Sequence, residues 1–440
     1  MSESTLIQNG LVVTGDRKGT IHSDGYVRIE ANQIAELGKG KPKGKADNVV
    51  DANGCVVIPG LITAHTHLYG ILLRGASLNI EPPTDFAQIL QRVWWPLDEA
   101  MNLEDAYASA LSASADMLRN GSTFFADTYS GPNSIEGVLD SVADGSNRVG
   151  MRSMLAFEMT ERDSVEIGHR GLEENVRFSG CAKCGGLASQ MMSIHASFTV
   201  TDELIKEAVE EARKLDVPIT IHTSEGLVDL YHNLERYGER TVERLARLGV
   251  LGPKTVLAHC VHVNNTELDL IAEANASVAH NPMSNMLNAV GTAPVPGMLK
   301  RGIPVGLGND GWIYDPFENM RCALTVHRLE NRNPSIIGPD DVFRMVTLDG
   351  ARCYGLEDQI GSLEVGKLAD IAILNGTRVP TPLTPDSVIG HLVNTFGGRD
   401  VAHVFVDGVQ VVKDGKLTLI SDEEVSEVSR EASEKLWSRL

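Results

Sequence analysis

The chain has 440 residues, 42% hydrophobic, 22% charged and 5% aromatic, an ordinary globular composition with enough apolar residues for a large core. Lys plus Arg total 39 against 59 Asp plus Glu, a formal charge of −20, which repels phosphate backbones and anionic lipid surfaces and argues against nucleic acid and membranes as partners. The cysteines Cys55, Cys181, Cys184, Cys260, Cys322 and Cys353 are scattered, the N-terminus has no basic-then-apolar leader, and no segment approaches the roughly 18 apolar residues of a membrane span. A cytoplasmic protein with reduced thiols is expected.

In chain order, residues 1–58 read as short strands separated by turn residues, through LIQNGLVVTGD, GYVRIEANQIAELG and NVVDANGCVVIPG. This predicts a small β unit. From residue 59 to 360, β-rich segments alternate with helical ones such as Leu103–Asn120, Thr201–Leu215 and Glu235–Leu248, the pattern of a parallel sheet. The candidate strands are Val56–His65, Thr123–Asp127, Ser153–Glu158, Met191–His195, Ile219–His222, Val256–His259, Ser277–His280 and Val305–Asp310, the number that closes a (β/α)8 TIM-like barrel of the α/β class. Residues 361–440 return to β texture with GSLEVGKLADIAIL and VAHVFVDGVQVVKDGKL, where Asp407-Gly408 marks a hairpin. The two flanking regions are expected to pair into one small β-sandwich, followed by a terminal helix over Ser421–Leu440.

Chemistry is expected where polar residues end the barrel strands, since barrel enzymes build their sites on that face. The first strand ends in His65-Thr66-His67, and in an extended segment i and i+2 share a face, so both imidazoles can reach one ion. Alone, His-x-His reads equally well as two surface histidines. The fifth strand ends in His222 with Glu225 three residues on, which suits a third ligand and a nearby proton carrier. Asp310, at the end of the glycine-bracketed eighth strand, is costly to bury without a cation or donors, and is the natural fourth ligand. Three histidines and one aspartate leave a divalent ion an open position for water, the catalytic arrangement rather than the closed structural one.

PGLITAHTHLYG, His222-Thr-Ser-Glu225, LAHC around His259, VAHNPMSNM around His280, the strand ending in Asp310 and GSLEVGKLADIAIL together resemble the amidohydrolase superfamily. The likeness is to its branch of nucleobase, pterin and S-adenosylhomocysteine deaminases and chlorotriazine hydrolases. Within the branch, RVWWPLDEAM and LEENVRF are most similar to SsnA-type aminohydrolases. The resemblance implies that His65, His67, His222 and Asp310 hold one divalent ion, zinc or iron, and that Glu225 and His259 handle protons. The fourth strand closes at His195 rather than at a lysine, so the carbamylated bridge of two-metal relatives is missing and a mononuclear site is implied. Relatives often carry Gly-Thr-Asp where this chain has Gly308-Asn309-Asp310, a difference beside the ligand.

The implied reaction is hydrolytic deamination of a small aminated nitrogen heterocycle (purine, pterin, pyrimidine or triazine). Asp310 or His259 takes a proton from water, and Glu225 protonates the ring nitrogen and helps ammonia leave. The alternatives are chlorotriazine or alkylaminotriazine hydrolysis, cyclic amide hydrolysis, and a metal-binding scaffold without turnover. His195, Trp94, Trp95 and Trp312 are candidate substrate contacts, each with a packing role as the competing reading, whereas His280 reads as packed. Cys181-Ala-Lys-Cys184 has no second pair and reads as a surface turn rather than a zinc site. A homo-oligomer, dimer or larger, is the expected assembly.

Overall fold

A computed structural model describes residues 4–178 and 186–440; Cys181 and Cys184 lie outside the described residues. The chain begins with β1 (Ser4–Val13), β2 (Ile21–Glu30), β3 (Gln33–Lys39), β4 (Asn48–Asp51) and β5 (Cys55–Pro59). The barrel strands follow as β6 (Leu61–Thr66), β7 (Ser122–Tyr129), β8 (Arg152–Met159), the short β9 (Ala188–Gln190), β10 (Met192–Ala196), β11 (Ile219–Thr223), β12 (Thr255–His259), β13 (Ser277–His280) and β14 (Val305–Leu307). Last come β15 (Ile371–Asn375), β16 (Val401–Val406), β17 (Val409–Lys413) and β18 (Lys416–Leu417).

The barrel runs in the order β6-β7-β8-β10-β11-β12-β13-β14, all parallel. The Asn309 amide, just past β14, donates to the carbonyl of His65 at the end of β6 across 3.0 Å, which draws the circle nearly shut. Helices cover its outside for local reasons. Leu103–Arg119 starts at Asn102, whose side chain accepts from the Asp105 amide while the Asp105 carboxylate receives the Asn102 amide, a reciprocal cap that satisfies two orphan donors.

Two predicted boundaries are corrected. Val56–His65 is not one strand: Cys55–Pro59 pairs with β15 in the terminal sheet, and Leu61–Thr66 starts the barrel. The apolar run is continuous, so the break is visible only in Pro59-Gly60, where the chain changes sheets. Glu235–Leu248 is likewise two helices, Leu227–Tyr237 and Thr241–Arg247; Gly238, at φ 70°, takes the left-handed conformation that ends the first.

The flanking strands form one sheet in the order β18-β17-β16-β15-β5-β1-β2-β3, with β4 on β1. Period-two alternation gives it two apolar faces. Val56, Ile58, Ala372, Leu374, Val404 and Val406 join the barrel core. Val57, Ile371, Ile373 and Phe405 instead meet Ile7, Val12, Val27 and Ile29 in a second core, so the N- and C-terminal segments share one sheet with an apolar cluster on each face. The predicted hairpin is present, with Asp407 and Gly408 both at positive φ as a two-residue primed turn requires. The final helix, Asp422–Trp437, reaches back to the barrel mouth: the Trp437 indole donates to the Leu72 carbonyl (2.7 Å) and Arg439 to that of Ala100 (3.0 Å).

Gly60 is where the two sheets meet. A Cβ there would lie 2.1 Å from Thr123 Oγ1 and 2.3 Å from its Cγ2. Gly60→Ala is expected to destabilise by about 2–3 kcal/mol, the upper range of overpacking in a filled core. A melting temperature equal to wild type would disprove that close approach.

Candidate active site

The strand ends converge. His65 and His67 leave β6, His222 leaves β11, and Asp310 follows β14; their ligating atoms all lie within 4.8 Å of one another. Asp310 Oδ1 is 3.1 Å from His65 Nε2 and 3.3 Å from His67 Nε2, and the Nε2 atoms of His67 and His222 are 3.2 Å apart. The other ring nitrogens fix the tautomers: His67 Nδ1 donates to the Thr128 carbonyl (2.8 Å) and His222 Nδ1 to the His195 carbonyl (2.7 Å). Carbonyls only accept, so both Nδ1 atoms carry hydrogen and the two Nε2 lone pairs face each other and a carboxylate. Such a knot of acceptors needs positive charge at its centre. Burial alone would lower His67, yet Glu158 and Asp310 push it up to about 10; a proton or a cation meets the same demand. Three imidazoles and one carboxylate fit a single divalent cation with a position left for water.

The backbone is bent to aim these groups. Asp310 (φ 55°), His259 (φ 71°) and Ser224 (φ 48°) all take left-handed conformations at strand ends, of the kind that over-determined sites retain. Asn309 accepts from the Thr66 hydroxyl (2.7 Å) and the Gly311 amide (3.0 Å), so its carboxamide braces the turn that presents Asp310.

Next to this cluster, His259 Nε2 stands 3.5 Å from both Glu225 Oε2 and Asp310 Oδ1. Its Nδ1 donates to Asn285 Oδ1 (2.8 Å), leaving Nε2 to take a proton. Burial pushes the Glu225 carboxyl up to about 7, against the pull of the His259 charge, and Asn288 donates to its Oε1 at 3.4 Å. Ser284 donates to the second oxygen of Asp310.

A cavity opens over these groups, lined by His67, His222, Glu225 and Asp310 and walled by Trp94, Trp95, Phe86 and Phe198. Trp94 and Trp95 come from the segment after β6, where a π-helical turn over Leu90–Trp94 interrupts the helix, a distortion frequent at functional sites. His195 borders the same cavity. Trp312 packs edge-on against Trp94 (5.7 Å between centroids) and is not among the described residues that border it. His280 is buried and paired with His327, Nε2 to Nε2 at 3.0 Å, as its packed reading expects.

Sequence reasoning assigned no role to Glu158, Asp98, Asn281, Ser284, Asn285 or Asn288. Glu158 ends a predicted apolar strand, the same signal that marked His222. The others sit at spacings of three and four around the helix Pro282–Leu287, or follow the paired tryptophans.

The amidohydrolase family matches residues 56–411. The chain belongs to the amidohydrolase family. It is 35% identical, over 99% of each chain, to the 5'-deoxyadenosine deaminase of Methanosarcina mazei. It is 33% identical, over 96% of each, to the 5-methylthioadenosine/S-adenosylhomocysteine deaminase of Syntrophobacter fumaroxidans. Among solved structures, a zinc-bound adenosine deaminase from Xanthomonas campestris superposes with a TM-score of 0.89 at 23% identity, covering 99% of this chain and 98% of that one. Atrazine chlorohydrolase from Arthrobacter aurescens, complexed with zinc, gives 0.86 at 22% identity over 98% and 100%. The expected family and the expected barrel with a terminal β unit are thus borne out. No helix among the described residues is long and apolar enough to cross a membrane.

Proposed function

We propose that this amidohydrolase deaminates a small aminated heterocycle of the purine type, with one zinc ion held by His65, His67, His222 and Asp310. The observation that carries the reading is Glu225: a buried carboxyl pushed up to about 7, facing the cavity beside His259 and the four-ligand cluster. The relatives at 33–35% identity, named as deaminases of adenosine-type compounds, support an aminopurine. The zinc-bound neighbours support zinc over iron.

When bound, the ion lowers the pKa of a coordinated water towards neutrality. The residues of the chain supply the rest. His259 Nε2 and Asp310 are placed to accept the proton released as water adds to the amino-bearing carbon. Glu225 donates to the ring nitrogen, which lets that carbon become tetrahedral without building up anionic charge on the ring. The proton held by His259 or Asp310 then reaches the exocyclic amine, which departs as ammonia, while the added hydroxyl returns its proton to Glu225 and the carbon becomes a carbonyl. Phe86, Trp94 and Trp95 give a flat ring an apolar slot.

Metal-replete protein incubated with aminopurines, pterins, aminopyrimidines and aminotriazines is expected to release ammonia from at least one purine. Chloride or a ring-opened acid in place of ammonia would overturn the reading. Elemental analysis is expected to find about one zinc per chain, from the three-imidazole, one-carboxylate donor set; two tightly held ions would contradict the single site.

A further inference from the structure

Part of the cavity wall is built from acceptors. Glu158 and Asp98 both border the cavity and are only 1% and 3% exposed. Glu158 Oε1 and Asp98 Oδ1 have no hydrogen-bond partner among the described residues. The histidine donors nearest Glu158 are already committed. The Nδ1 atoms of His222 and His67 approach Glu158 Oε1 at 3.5 and 3.9 Å, but their protons go to the His195 and Thr128 carbonyls at 2.7 and 2.8 Å. Arg162 and Ser130 both reach Asp98 through Oδ2, and the guanidinium of Arg162 keeps further unpartnered nitrogens beside it, so Glu158, not Asp98, is the carboxylate in need of a donor.

His195 completes the wall. The Thr199 hydroxyl donates to the Ala196 carbonyl (3.0 Å), so it accepts from His195 Nδ1 (2.8 Å), and the remaining nitrogen, Nε2, is a lone pair. Ligating atoms of Glu158, His195 and His222 fall within 4.8 Å of one another, so this wall adjoins the reacting ring and not some distant substituent.

Buried acceptors without donors are costly, and a carboxylate especially so. We propose that the missing donors belong to the substrate: the ring edge facing Glu158 and His195 carries N–H groups, as in an aminopurine with a second, 2-amino substituent. This rests on the deaminase reading above and specifies its substrate class. Adenine offers only lone pairs on the pyrimidine-ring edge beside C2, whereas 2,6-diaminopurine adds two N–H donors there and is otherwise the same ring.

The test compares those two compounds on zinc-loaded protein, by equilibrium binding and by kcat/KM. 2,6-Diaminopurine is expected to bind at least tenfold more tightly, the worth of one charge-assisted hydrogen bond. In Glu158→Gln, which keeps the size but loses the charge and one acceptor, the preference is expected to shrink severalfold with zinc content unchanged. Equal binding of the two purines by wild type would overturn the proposal. So would a Glu158→Gln enzyme that loses zinc and weakens both ligands alike, since Glu158 would then serve only to orient His67 and His222. A second zinc bound at Glu158 and His195 would also overturn it, by giving those acceptors a cation. Because binding is measured apart from turnover, selective binding without ammonia release would sink the deaminase reading and leave the donor preference standing.

Discussion

In the Glu225→Gln enzyme, kcat is expected to fall by about 10²–10⁴-fold, the usual worth of one positioned acid–base group. Zinc content should stay near one per chain, because Glu225 touches His259 and Asn288 and is not part of the four-ligand cluster. Glutamine preserves the bond from Asn288 and the fit in the cavity but has no proton to give. The pH profile adds a second signature. Burial raises the Glu225 carboxyl to about 7, so the protonated form that donates to the ring nitrogen is present below that value and lost as pH rises through it. Wild-type kcat/KM is expected to decline on the alkaline side with an apparent pKa near 7, and Glu225→Gln to lack that limb. A metal-replete, fully active mutant would show that Glu225 merely packs ahead of the helix Leu227–Tyr237.

His67→Ala or His222→Ala is expected to lose zinc and activity together. Each removes one of two Nε2 atoms that face each other at 3.2 Å, and each leaves a backbone carbonyl, Thr128 or His195, without its imidazole donor. Three ligands remain, but with the converging pair broken the affinity for the ion should drop by several orders of magnitude and turnover below detection in metal-buffered solution. Elemental analysis and activity should track each other on titrating zinc back. Full activity in a zinc-free mutant would remove these histidines from the site.

Much of this was legible because catalytic barrels put their chemistry where strand patterns end. His65, His67, His222, His259 and Asp310 each terminate or closely follow an apolar run, and period-two geometry alone pairs the first two. What escaped depends on through-space placement. The sheet change at Gly60 hides inside a continuous apolar stretch, and shows only once Thr123 is found against it. Trp312 follows Asp310 by two residues, yet the turn carries its ring behind Trp94. Asp98 looks like one more helical acid until Arg162, distant in sequence, is seen to hold one of its oxygens. Hydrogen-bond satisfaction is a property of the assembled site, so the acceptor wall has no signature in the chain.

The pairing of β5 with β15 also sets a problem of timing. Val56–Ile58 are made early in synthesis, and their antiparallel partners Ala372–Leu374 emerge only after the whole barrel has been translated. Until then β5 has β1 alone beside it, through Leu11 and Val12, and its other edge is open. Contacts so far apart in sequence are slow to form, and an unpaired apolar edge is prone to join another chain. The architecture thus favours an order in which the barrel closes before the terminal sheet that borders it is sealed.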